Sequence, residues 1–202
     1  MAPLSGVLAV VLWVLGLIVN SSKVKGSTGP RLLASYQHHH NAILFGGFLF
    51  ALGTILFTWF LGSLRSRYLV AEGGAGRLTA LAYGSGIGAA VMGFLVMGPD
   101  MSAALEKKHL DASAALALHD LGDAFFIGAE YILAVFFFAG AILALRYAVM
   151  PRWLGWVNLL IGVVLLIGPI GWAALIFAFP IWILLVSIWL WRTTAPVAAA
   201  PA

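Results

Sequence analysis

Apolar residues run through this chain in long stretches, and the polar positions are gathered into short intervals between them. Runs of about 20 apolar residues, each rising 1.5 Å in a helix, are long enough to cross a hydrocarbon core. The pattern predicts an all-α bundle of six transmembrane helices, at approximately 4–20, 41–64, 77–98, 116–146, 153–169 and 171–191. Gly168-Pro169-Ile170-Gly171 is read as the turn that splits the last two, because proline cannot continue a helix. Five spans is the alternative, with proline kinking one long helix. The first run, Leu4 to Val19, has no Lys or Arg ahead of it and ends in "VNSSK", a poor cleavage site, so it reads as a retained helix and not a signal peptide.

Composition agrees with the pattern. Hydrophobic residues make up 63% of the chain and charged residues 9%, whereas a soluble domain carries roughly a quarter charged. Spans and their loops consume nearly all of the 202 residues, which predicts one transmembrane domain over 1–192 and a disordered tail, "TTAPVAAAPA", over 193–202. The chain has no cysteine, which excludes disulfides, thiolate metal sites and a cysteine nucleophile. Eleven basic against seven acidic residues is ordinary for a polytopic protein and does not imply nucleic acid.

Charge then orients the spans. Arg65, Arg67, Arg77, Arg146, Arg152 and Arg192 fall on one face, in short connections close to helix ends. Lys23, Lys25, Arg31, Lys107 and Lys108 fall on the other, in longer loops. The positive-inside rule acts on short connections, so both termini are expected in the cytoplasm. Trp59, Trp153, Trp156, Trp189 and Trp191, with Tyr68 and Tyr147, gather on the arginine face as an interfacial belt.

Against this background "HDLGDAFFIGAEY", residues 119–131, carries three of the seven carboxylates. Asp111 is the expected N-cap of its helix. At 100° per residue Asp123 falls about 40° from His119 and Glu130 about 20°, so the three share one stripe, with Asp120 to one side. An ionised carboxylate turned to lipid is costly, so the stripe is expected to face protein or water. Glu130, roughly 6 Å inside the apolar core, is the first candidate for ligand binding. The bland reading is a protonated acid bonded to a backbone carbonyl or to Tyr83, Ser85 or Asn158.

A second polar landmark, "YQHHHN" at 36–41, precedes helix two on the same side. His38, His39 or His40, together with His119, Asp123 and Glu130, would supply nitrogen and oxygen ligands suited to a divalent transition metal such as zinc, iron or manganese. Helical geometry limits this, since successive histidines diverge by about 100° and no more than one or two can point inward. His109, beside "EKK", is expected in solvent. No serine or threonine has a neighbouring His–carboxylate pair, and no histidine sits where haem would need it.

Helix three contains "YGSGIGAAVMGF", where Gly84 and Gly88, and Gly86 and Ala90, are four apart. Small residues at that spacing let helices approach closely, and they offer a face for a homo-oligomer. Pro180 is expected to kink helix six. No internal repeat supports an inverted-repeat transporter.

Three blocks, "APLSGVLAVVLWVLGLIV" (2–19), "FLGSLRSRYLVAEGGAGRLTALAYGSG" (60–86) and the segment 117–169 with its "LGDA" and "PRWLGW" features, resemble a widespread actinobacterial group of small polytopic membrane proteins known as a domain of unknown function. The resemblance implies about six helices in the bacterial plasma membrane and places Asp123 in the group's pattern; it implies no reaction, ligand or cofactor. The triple histidine resembles an elaboration of a "YYxxH"-like approach to helix two.

The leading expectation is a helical bundle whose polar cavity near the outer leaflet binds or moves a small cation, a proton-linked solute or an amphipathic molecule. The alternatives are a metal-dependent intramembrane enzyme acting on a lipid or isoprenoid, and a structural subunit of a membrane complex.

Overall fold

The computed structural model describes residues 2–21, 24 and 28–193. Except for Thr193, the expected tail therefore lies outside the described residues. Every regular element is helical: α1 is Ala2–Ser21, α2 Gly29–Glu72, α3 Arg77–Leu105, α4 Ala112–Tyr147, α5 Arg152–Leu165 and α6 Gly168–Thr193. Four of them, α2, α3, α4 and α6, are long and apolar enough to cross a membrane, and α1 and α5 are shorter apolar helices. The protein is an all-α, multi-pass membrane bundle.

Several boundaries differ from those expected. Helix two starts at Gly29 and not near 41, because Pro30 suits a first helical turn, and the chain stays helical on both sides of "YQHHHN". Over its 44 residues it bends at His39 (φ −120°, ψ 16°). Helix three continues through Pro99 to Leu105. The last reversal falls at Leu166–Ile167, one turn earlier than read, and Gly168-Pro169 opens α6 instead of separating two spans. Pro180 does not simply kink that helix. Ahead of it Ala174–Ala178 forms a π turn, in which the Phe179 N–H bonds the Ala174 carbonyl five residues back. A proline cannot donate to the carbonyl four residues earlier, and the widened turn accommodates that break.

The helices run antiparallel in chain order. Glycine brings α1 onto α2: a Cβ on Gly16 would stand 2.7 Å from the Gly46 carbonyl oxygen, and one on Gly53 2.9 Å from that of Ala9. The small-residue stripe of α3 is used in the same way within the chain. Gly86 faces Leu61 and Phe136, Gly88 faces Ile132, and Ala90 is buried, whereas Gly84 has nothing within 4 Å. Trp182 stands edge-on to Phe60, Phe136 and Phe137 at the centre.

Arg65, Arg67, Arg77, Arg146, Arg152 and Arg192 share one end of the bundle with exposed Trp59, Trp153, Trp156 and Trp191. Both ends of the described chain lie there too, since Gly6 of α1 packs on Ser187 of α6. At the opposite, histidine end a smaller core of Leu32, Tyr36, Ile43, Ala103, Ala104 and Ala115 forms a cap from α2, α3 and α4. Close backbone contact between Gly29 and Ala112 closes this cap at its far end.

Candidate functional site

The polar side chains of the cap converge on Asp100, in the last turns of α3. The Tyr36 hydroxyl donates to Asp100 Oδ1 at 2.6 Å, and His119 Nδ1 stands 3.5 Å from the same oxygen, at the long edge of hydrogen-bond range. Tyr36 is wholly buried; the Asp100 side chain is 15% exposed and that of His119 30%. Tyr36 lies ahead of the apolar stretch 41–64. Burial first, then the bonded Asp100 and nearby Asp123, push its hydroxyl above the ordinary tyrosine range. It therefore remains a donor at every physiological pH. Asp100 forms no ion pair with Lys or Arg among the described residues.

Two of the stripe residues on α4 thus face protein, though not each other. Glu130 is 3% exposed and lies about three turns deeper than His119, against α6: a Cβ on Gly171 would stand 2.8 Å from Glu130 Oε2 and 3.1 Å from the Leu165 carbonyl oxygen. Between Arg152 and Arg192 the chain has no charged residue, so α5 and α6 bring no cation to Glu130. Asp123 is exposed at the rim beside Tyr36, and Asp120 is exposed to the side.

The partners expected for Glu130 are elsewhere. Ser85 is turned outward and bonds the Leu81 carbonyl of its own helix at 2.7 Å, and the Tyr83 ring lies under Arg65, 5.5 Å from the guanidinium carbon. Asn158 is buried at the arginine end, where its Nδ2 and the Tyr68 hydroxyl both point at Gly140. The interior face of the middle of α3 is built from Gly86, Ala90 and Met97, small or apolar residues, and neither Tyr83 nor Ser85 belongs to it.

The residues expected as metal ligands do not come together. Among the described residues no three His, Asp or Glu side chains gather as a metal group. His38 and His39 are exposed and diverge on the helix; His40 is half-buried, its Nδ1 without a partner. What sequence reasoning missed is Asp100 itself. Its signal lies in "GPD", a carboxylate just beyond an apolar run.

A second carboxylate has a structural task. Glu72 Oε1 and Oε2 accept from the N–H groups of Leu78 and Thr79 at 2.9 and 2.8 Å, and Oε2 accepts from the Thr79 hydroxyl at 2.7 Å. It caps α3 across "GGAG", where Gly73, Gly74 and Gly76 all have φ between 54° and 65°. Burial alone would raise this carboxyl. The bonds from Thr79 and the turn's amides outweigh it and hold Glu72 below its ordinary range.

The fold defines a multi-pass helical membrane protein, with a hydrogen-bonded cluster around Asp100 in the cap at its histidine end. Comparison with protein families, with curated proteins and with solved structures finds no match to this chain.

Proposed function

We propose that this is a multi-pass protein of the bacterial plasma membrane, both termini cytoplasmic, that binds an amphipathic molecule at its outer face by the molecule's cationic polar end. The observation that carries this reading is Asp100, a mostly buried carboxylate with a tyrosine donor and a histidine on one oxygen and, among the described residues, no Lys or Arg partner. Such a group favours a cation able to donate a hydrogen bond. Asp123, at the rim, and Asp120, to its side, add attraction of the same sign. The six arginines of the opposite end, in short connections, support the assignment of that end to the cytoplasm. Glu130 lies deeper, against α6, and is not a contact of this site.

The test is titration of a long-chain primary amine into reconstituted protein. Asp100→Asn should weaken binding by about tenfold or more, the equivalent of one hydrogen bond to a charged group. Asp111→Asn, which keeps a capping side chain on α4, should bind as the unaltered protein does. Equal affinity for all three proteins would contradict the reading.

A further inference from the structure

Below the acidic cluster the bundle contains a cavity of about 190 Å³ between α1, α2, α3, α4 and α6. Its wall includes Trp13, Phe50, Thr54, Gly93 and Phe179. The two polar side-chain groups among these are already satisfied, Trp13 Nε1 donating to Thr54 Oγ1 at 3.0 Å and Thr54 Oγ1 to the Phe50 carbonyl at 3.0 Å. The space equals that of about six waters, yet a buried water needs two to four polar partners and this wall offers almost none. Hydrocarbon fits it.

The cavity also has a way in from the bilayer. Val14 and Leu17 of α1 and Ile176 of α6 line it, and Val14 and Ile176 are exposed on the bundle surface. α1 meets α6 near the arginine end, at Gly6 and Ser187, while at the level of Ile176 the π turn widens α6. Pro180, whose missing N–H accompanies that turn, lines the cavity too.

At its other end the cavity runs up to the acidic site on two helices at once. Met97 lines it and Asp100 lies one turn beyond on α3; Phe126 lines it and Asp123 lies one turn beyond on α4. Each step is about 5 Å at 1.5 Å per residue. Asn20, 4% exposed, donates to Met97 Sδ at 3.0 Å at this same end, and its Oδ1 is buried without a partner among the described residues. An apolar cavity open to lipid thus leads to an unpartnered acceptor and then to carboxylates.

We infer that the cavity holds the single hydrocarbon chain of the bound amphiphile, which enters sideways between α1 and α6 while its cationic end reaches Asp100. This rests on the amine-binding reading for the head alone. It restricts the ligand class to single-chain amines and their hydroxylated relatives, because a cavity of about 190 Å³ is matched to one chain.

The experiment uses a long-chain primary amine with a photoreactive group near its far end, in protein reconstituted into phosphatidylcholine nanodiscs, with labelled peptides located by mass spectrometry. Gly93→Leu fills the cavity, since a Cβ there meets Phe50 and Thr54 at ordinary distances of 3.7 and 3.8 Å. Val14→Trp obstructs the mouth from an exposed position and so does not depend on the core tolerating a larger residue. Label is expected on the peptides of Trp13, Gly93 and Ile176, reduced at least fivefold in both variants and unchanged in Gly84→Leu, which faces open space. Label spread over lipid-facing positions and indifferent to both variants would overturn the inference. Loss of amine affinity in Asp100→Asn with label unaffected by Gly93→Leu also overturns it while leaving the head site standing. The reverse pattern supports the cavity and removes the head site.

Discussion

The Tyr36 hydroxyl donates to Asp100 at 2.6 Å although the two residues are 64 positions apart. The bend of α2 at His39 belongs to this arrangement, since the segment ahead of it packs as a cap with the ends of α3 and α4. Tyr36→Phe keeps the ring and removes the donor. The loss should be about 1.5–3 kcal/mol, the usual worth of a hydrogen bond to a charged group, seen as a lower unfolding midpoint in detergent. An unchanged midpoint would mean that the bond is not maintained in solution.

Glu130 and Gly171 fit one another so closely that a methyl group at Gly171 meets the carboxylate. Gly171→Ala should destabilise by about 1–3 kcal/mol through overpacking. In a Glu130→Ala background most of that loss should vanish, giving a coupling of at least about 1 kcal/mol in a double-mutant cycle. Additive effects would show that the two side chains do not meet.

Glu72 gives a pH prediction outside the spans. A carboxyl held below its ordinary value stabilises the fold fully above the unfolded group's value, near 4.5, and ceases to do so as pH falls through the lower folded value. Protection of the Leu78 and Thr79 amides from hydrogen exchange, corrected for intrinsic rates, should therefore decline over that acid range. Glu72→Gln should remove the pH dependence and lower protection at neutral pH. Protection that is constant through the acid range would contradict the cap.

The glycines of α3 separate inward from outward positions. Gly86→Leu should prevent folding or lower its yield severely, because a Cβ there already stands 2.9 Å from Leu61 and 3.3 Å from Phe136. Gly84→Leu should leave the monomer intact. Should it instead change the oligomeric state on size-exclusion chromatography, the one open glycine of the stripe would mark an interface between copies.

The helices were legible because twenty-residue apolar runs admit little else in lipid, and Asp111 was legible as a cap because capping is local. Its Oδ1 accepts from Ala114 N at 2.7 Å. Glu130 was legible as an interior residue for the same reason of cost in lipid. The site's centre was not, since the stripe on α4 states which way that helix faces and says nothing of what comes opposite. Tyr83 and Ser85 are polar, but the face of α3 turned inward beside them is that of Gly86, Ala90 and Met97. The start of α2 was hidden because a polar helix outside the bilayer carries no apolar signal.

The most direct measurement is a magic-angle-spinning NMR contact between a nitrogen-labelled long-chain amine and the carbon-labelled carboxylates of the reconstituted protein. The account predicts a nitrogen-to-carboxyl contact that disappears in Asp100→Asn and persists in Asp111→Asn. A contact that is untouched by Asp100→Asn, or none at saturating amine, would contradict it.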